Sequence, residues 1–120
     1  MKSPLHQVKA ELFKTLGHPA RVRALEMLST GERSVGELQR ELGLESSHLS
    51  GQLAVLRHAG LVTTRKQGTS VFYSLAAPEV AELLAVARRI LTEVLVEQTE
   101  VLRDLRAESR RQSIVAHPPG

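Results

Sequence analysis

The chain has 120 residues, enough for one modest domain. Hydrophobic residues make up 42% but aromatics only 2%, so a core must be built from Leu, Val and Ala, in a composition that favours helix. The absence of cysteine excludes disulfides, zinc–thiolate sites and thiol redox sensing, while a formal charge of +3 admits a polyanionic partner.

Met1 to Ser3 are expected to be loose. From Pro4 a helix is predicted, with the apolar stripe Leu5, Val8, Leu12 and Leu16, ending at Gly17. That stripe needs a partner. His18-Pro19-Ala20-Arg21 opens a second helix with Val22, Leu25 and Leu28 as core candidates, and Thr30-Gly31 closes it. His18, at a helix start before proline, reads as structural rather than as a metal ligand, because no ligand partner is near in sequence. Ser34-Val35-Gly36-Glu37 has the form of a capping box: the hydroxyl accepts from the Glu37 amide and the carboxylate from the Ser34 amide.

A short helix then runs through Leu38 and Leu42 to Gly43. After the turn Gly43-Leu44-Glu45 comes a helix from about Ser47, stopped by His58-Ala59-Gly60. Two short helices joined by such a glycine-containing turn form a helix-turn-helix. The second helix has two faces. Leu49, Leu53 and Leu56 recur at helical spacing. Ser46, Ser47, His48, Ser50 and Gln52 make the other side polar, short-chained and nearly uncharged. A merely solvated helix more often carries Lys and Glu there. Side chains that both donate and accept suit base edges in a major groove, where Gln can pair bidentately with adenine.

Leu61 to Lys66 and Thr69 to Leu75 read as two strands joined at Gln67-Gly68. Arg65 and Lys66 are placed at the tip, making a cationic wing that would reach phosphates or an adjacent minor groove. Between Ser46 and Leu75 there is no Asp or Glu, while Arg57, Arg65 and Lys66 are present. Such a stretch suits a polyanion.

Pro78 opens a last helix that runs without Gly or Pro to about Ala107. Val80, Leu84, Ala87, Leu91, Val94, Gln98, Val101 and Leu105 step alternately by four and three, a heptad pattern. A helix of about 30 residues is about 45 Å long, whereas the preceding residues would form a body about 30 Å across. Its far end therefore needs cover, and a second copy of the chain is the simplest. The expected dimerisation residues are Leu5, Val8, Leu12, Leu84, Leu91, Val94, Val101 and Leu105. Residues 1–108 would form one DNA-binding and dimerisation domain, and residues 109–120 a disordered tail. The expected fold class is mainly α with a small β-hairpin, a winged helix-turn-helix in the order α-α-α-α-β-β-α. No apolar run reaches the ~20 residues of a membrane span and no signal-peptide apolar region opens the chain, so a cytoplasmic protein is expected.

Leu16-Gly17-His18-Pro19-Ala20-Arg21-Val22-Arg23-Ala24-Leu25, Ser34-Val35-Gly36-Glu37-Leu38, Leu44 through Leu56, Ala59-Gly60-Leu61-Val62 and Arg65 to Leu75 together resemble the ArsR/SmtB family of bacterial winged-helix regulators. The likeness extends over about Leu5 to Ala107. It implies a homodimer built on the first and last helices, bound to a pseudo-palindromic double-stranded DNA operator, usually as a repressor relieved by an effector or co-regulator. Base reading would fall on Ser46, Ser47, His48, Ser50 and Gln52. Backbone contact would fall on Arg57, Arg65, Lys66 and Thr69. The family's two common metal patterns, a cysteine pair on the third helix and an Asp-x-His motif with a later His on the last, are both absent. No metal cofactor is therefore expected. Nickel or another borderline ion would have only His6, His117 or carboxylates across a dimer.

Two other function classes compete. A winged helix can grip a protein, with the long helix as a coiled-coil arm, but the acid-free stretch disfavours it. An enzyme built on Ser47, His48 and Ser50 fails on geometry, since neighbours on a helix do not face each other, and no catalytic constellation assembles.

Overall fold

The computed structural model describes residues 4–116, with side chains to residue 112. Residues 1–3 and 117–120 lie outside them, and with them the expectations for Met1 to Ser3 and for His117. Five helices and three short strands follow in the order α1 (Leu5–Thr15), α2 (Pro19–Leu28), β1 (Arg33–Ser34), α3 (Val35–Leu42), α4 (Ser46–His58), β2 (Val62–Gln67), β3 (Ser70–Leu75) and α5 (Pro78–Ala116). Contacts divide the chain into two units, residues 1–84 and 85–120.

In the first unit the core is made by three helices and one strand. Ala24, Leu25 and Leu28 of α2, Leu38 and Leu42 of α3, Leu49, Leu53 and Leu56 of α4, and Val62 of β2 are buried together. Val22, a core candidate by spacing, is only half-buried, and Ala24 takes its place. Burying each of the five fully enclosed leucines contributes about 1.5–3 kcal/mol.

Local signals set the helix ends. The Ser34 hydroxyl accepts from the Glu37 amide at 3.1 Å, and Glu37 Oε1 accepts from the Ser34 amide at 3.2 Å, the complete capping box. Gly43 ends α3 at φ +64°, where its amide donates to the Gln39 carbonyl. A side chain would be strained there. His18 is the N-cap of α2, its Nδ1 accepting from the Ala20 amide at 3.1 Å. That is the structural role its position implied.

The sheet is antiparallel in the order β1-β3-β2. β1 is an addition to the expected hairpin: Arg33 and Ser34 pair with Tyr73 and Phe72. Two residues are too short for an alternation signal, so the strand exists only because β3 lies beside it. In the hairpin Gln67 pairs with Ser70, leaving Gly68-Thr69 as the loop, with Gly68 at φ +61°.

The last helix corrects the expected boundary. It does not stop near Ala107 but continues to Ala116, so residues 109–116 are helical rather than a disordered tail. No Gly or Pro interrupts it before Pro118, and Arg110, Arg111 and Gln112 are good helix formers. In the second unit this helix exposes Ile90, Leu91, Val94, Leu95, Val101, Leu102 and Leu105. In the first unit Leu5 and Val8 of α1 are exposed, as is Phe13, which the stripe did not include. Leu12 and Leu84 differ from the other expected dimerisation residues. Both are half-buried and line an apolar pocket of about 160 Å³ with Leu16, Leu61, Val80 and Leu83.

Candidate nucleic-acid interface

The α3–turn–α4 arrangement fixes α4 by its leucines and leaves its remaining surface open. Ser46, Ser47, His48, Ser50, Gly51, Ala54, Arg57 and His58 are exposed, and Gln52 is half-buried. At about 100° per residue, Ser47, Gly51, Ala54 and His58 lie opposite the leucines. Ser46, Ser50 and Arg57 form one flank of that face, and His48 and Gln52 the other.

The second flank is tied to the start of α2. The His48 ring meets His18 edge to face, with centroids 6.2 Å apart. Gln52 Oε1 accepts from Arg21 Nε at 2.8 Å. The expected base readers are thus brought onto one exposed helix but not into one row, and Gln52 does not stand free. Ser47 donates its hydroxyl to Glu45 Oε1 at 3.0 Å, a contact within the first turn.

The hairpin also differs from the expected cationic tip. Arg65 pairs with Phe72 across the strands and Lys66 with Val71, so alternation puts the two cations on opposite faces. Arg65 is not free. Its Nε and Nη2 donate to the Glu32 carboxylate at 2.8 and 2.6 Å, its Nη1 donates to Gln67 Oε1, and its guanidinium lies 4.5 Å over the Phe72 ring. The hydrogen bonds from Arg65 hold the Glu32 carboxyl below its ordinary value, and Glu32 in turn raises Arg65. Arg65 therefore braces the hairpin against the turn before β1, its charge answered by a carboxylate. Lys66, Thr69 and Arg57 are exposed, and no hydrogen bond or ion pair engages Lys66 or Arg57 among the described residues.

Sequence reasoning missed three residues here. Glu32 lies outside the acid-free stretch and 33 positions from Arg65, so no local pattern joins them. Arg21 was read only as part of a helix start. Gly51 carried a signal that went unused: it sits inside an exposed helix, where glycine costs about 0.5–1 kcal/mol relative to alanine, and a Cβ there would meet nothing within 4 Å. Among the described residues no three His, Cys, Asp or Glu side chains gather as a metal site, and no helix is long and apolar enough to cross a membrane.

Comparison with known proteins places this geometry. The sequence model of the bacterial regulatory protein, arsR family, matches residues 18–64, from the N-cap of α2 into β2. The HTH-type transcriptional regulator Rv0081 of Mycobacterium tuberculosis is 59% identical over 105 residues, 87% of this chain and 92% of that one. A biofilm growth-associated repressor of Agrobacterium fabrum is 48% identical over 75 residues, 62% of this chain and 64% of its own length. The crystal structure of Rv0081 aligns with a TM-score of 0.77 at 56% identity, covering 82% of this chain and 99% of that one. The solution structure of a homodimeric winged helix-turn-helix DNA-binding domain from Mycobacterium bovis aligns with a TM-score of 0.68 at 29% identity, covering 78% and 92%.

Proposed function

Because the chain belongs to the arsR family of bacterial regulatory proteins and is a DNA-binding transcriptional regulator, we propose that it acts in the cytoplasm as a homodimeric repressor on a pseudo-palindromic operator. The observation that carries this reading is the open face of α4, which displays hydroxyls, imidazole and bare backbone but no acidic side chain. In a dimer two such helices would enter successive major grooves about 34 Å apart. Ser46, Ser47, His48, Ser50 and Gln52 face base edges. Arg57, Lys66 and Thr69 meet the sugar–phosphate backbone, and Arg65 stiffens the wing that presents them.

Dimerisation uses the exposed rows, Leu5 and Val8 of α1 and Leu91, Val94, Val101 and Leu105 of α5. Large exposed apolar rows of this kind mark association surfaces. Leu12 and Leu84 instead line the apolar pocket inside the first unit. Repression follows the likeness to the biofilm growth-associated repressor. Release comes from an effector or co-regulator, the role that regulators of this family leave to a bound signal.

The test is anisotropy of a labelled duplex from the DNA flanking the protein's own gene, beside sedimentation of the free protein and a promoter reporter. A dimer that binds this duplex well above random DNA and lowers reporter output is expected, with affinity unchanged by nickel. A stable monomer at micromolar concentration, or no retention on duplex DNA at moderate salt, would overturn the reading and favour a protein-binding module.

A further inference from the structure

The contact between Arg21 and Gln52 restricts what α4 can read. Arg21 is half-buried at the start of α2, and its guanidinium is held at two points. Nη1 donates to the Thr15 carbonyl, the last of α1, at 2.9 Å, and Nε donates to Gln52 Oε1 at 2.8 Å. An arginine carries donors only. The Gln52 carboxamide must therefore turn its oxygen to Arg21, and its nitrogen points the other way. Bidentate pairing with adenine needs both ends of the amide, the oxygen for N6–H and the nitrogen for N7. Arg21 takes one of the two lone pairs of that oxygen and fixes its direction, so the amine end is the freer of the two for a base.

We infer that Arg21 is a positioning residue that turns the amine end of Gln52 to the bases and makes it read chiefly as a donor, matched to guanine, whose N7 and O6 both accept, or to thymine O4, whereas adenine sets a competing N6 donor beside its N7. The inference rests on the DNA-binding reading above. It replaces the expectation that Gln52 recognises adenine. Clamping the guanidinium to α1 as well as to Gln52 fixes the amide before DNA arrives, so no rotamer has to be frozen on binding.

The experiment is selection of bound sequences from a random duplex pool by the full-length wild type, Gln52→Ala, Gln52→Glu and Arg21→Ala. Gln52→Ala identifies the base position that depends on this side chain. At that position the wild type should prefer guanine or thymine over adenine by roughly tenfold. Gln52→Glu keeps an oxygen for Arg21 but displays only acceptors. Its preference should move to cytosine or adenine, whose amino groups donate. Arg21→Ala frees the amide, and adenine should rise to parity. A role for Arg21 in folding alone would move affinity but not base identity. Gln52→Glu retains the Arg21 contact, so the test survives a misfolded Arg21→Ala. A wild-type preference for adenine at the Gln52-dependent position, or an unchanged profile in Gln52→Glu, would overturn the inference while leaving DNA binding intact. A wild type that selects no sequence at all would instead overturn the DNA-binding reading beneath it.

Discussion

Lys66 and Arg65 are adjacent in β2 and carry the same charge, yet replacing each with alanine should give different salt titrations. Arg65 donates twice to Glu32 and lies on Phe72, so its charge is already compensated within the protomer. Lys66 is exposed, with no such partner among the described residues. If each Lys66 neutralises one phosphate, a dimer loses two contacts in Lys66→Ala. The slope of log affinity against log salt then flattens by about 1.8. Between 50 and 200 mM salt the advantage of wild type over Lys66→Ala should shrink by about twelvefold. Arg65→Ala should lower affinity by loosening the wing, yet leave the slope where it was. Glu32→Gln should steepen the slope by up to about 1.8, because it releases Arg65 to the phosphates. Anisotropy of a labelled operator duplex over a salt series measures all three. Equal flattening by Arg65→Ala and Lys66→Ala would refute the assignment of Arg65 as a brace.

Other substitutions probe the scaffold. Leu53→Ala, at a position 1% exposed in the core, should cost about 2–5 kcal/mol in urea unfolding, and a loss below 1 kcal/mol would contradict the central place given to α4. Gly51→Ala should stabilise the fold by about 0.5–1 kcal/mol and weaken DNA binding, since a methyl group would stand where the duplex comes closest; tighter binding would exclude that approach. Ser34→Ala should cost about 1 kcal/mol by opening the capping box. The Ser34 amide, and then its hydroxyl, hold Glu37 below the ordinary value of 4.5. A lowered carboxylate stabilises the fold above its ordinary value and loses that contribution as pH falls through the lowered one. The stability gap between wild type and Ser34→Ala, read from urea midpoints, should therefore be wider at pH 7 than at pH 3.

Much of the fold was legible because its signals are local. The heptad-like row of α5, the leucines of α4, the Ser34–Glu37 box and the turn glycines each act within a few residues of chain. The polar face of α4 was legible for the same reason, since spacing alone separates Ser47 and Ser50 from Leu49 and Leu53. What went wrong at residues 109–116 was a matter of composition: polar residues suggested a tail, although none of them breaks a helix.

The order of elements, the buried rows and the display of serines on α4 follow from periodicity and capping, which are properties of neighbouring residues. Which of the displayed groups are free is decided by contacts between segments distant in sequence. Glu32 meets Arg65 only because β1 adds to β3, and Arg21 meets Gln52 only because α2 lies against α4. Hydrogen bonds between remote side chains leave no trace in spacing, so the available donors and cations of this surface emerge only once the chain has folded.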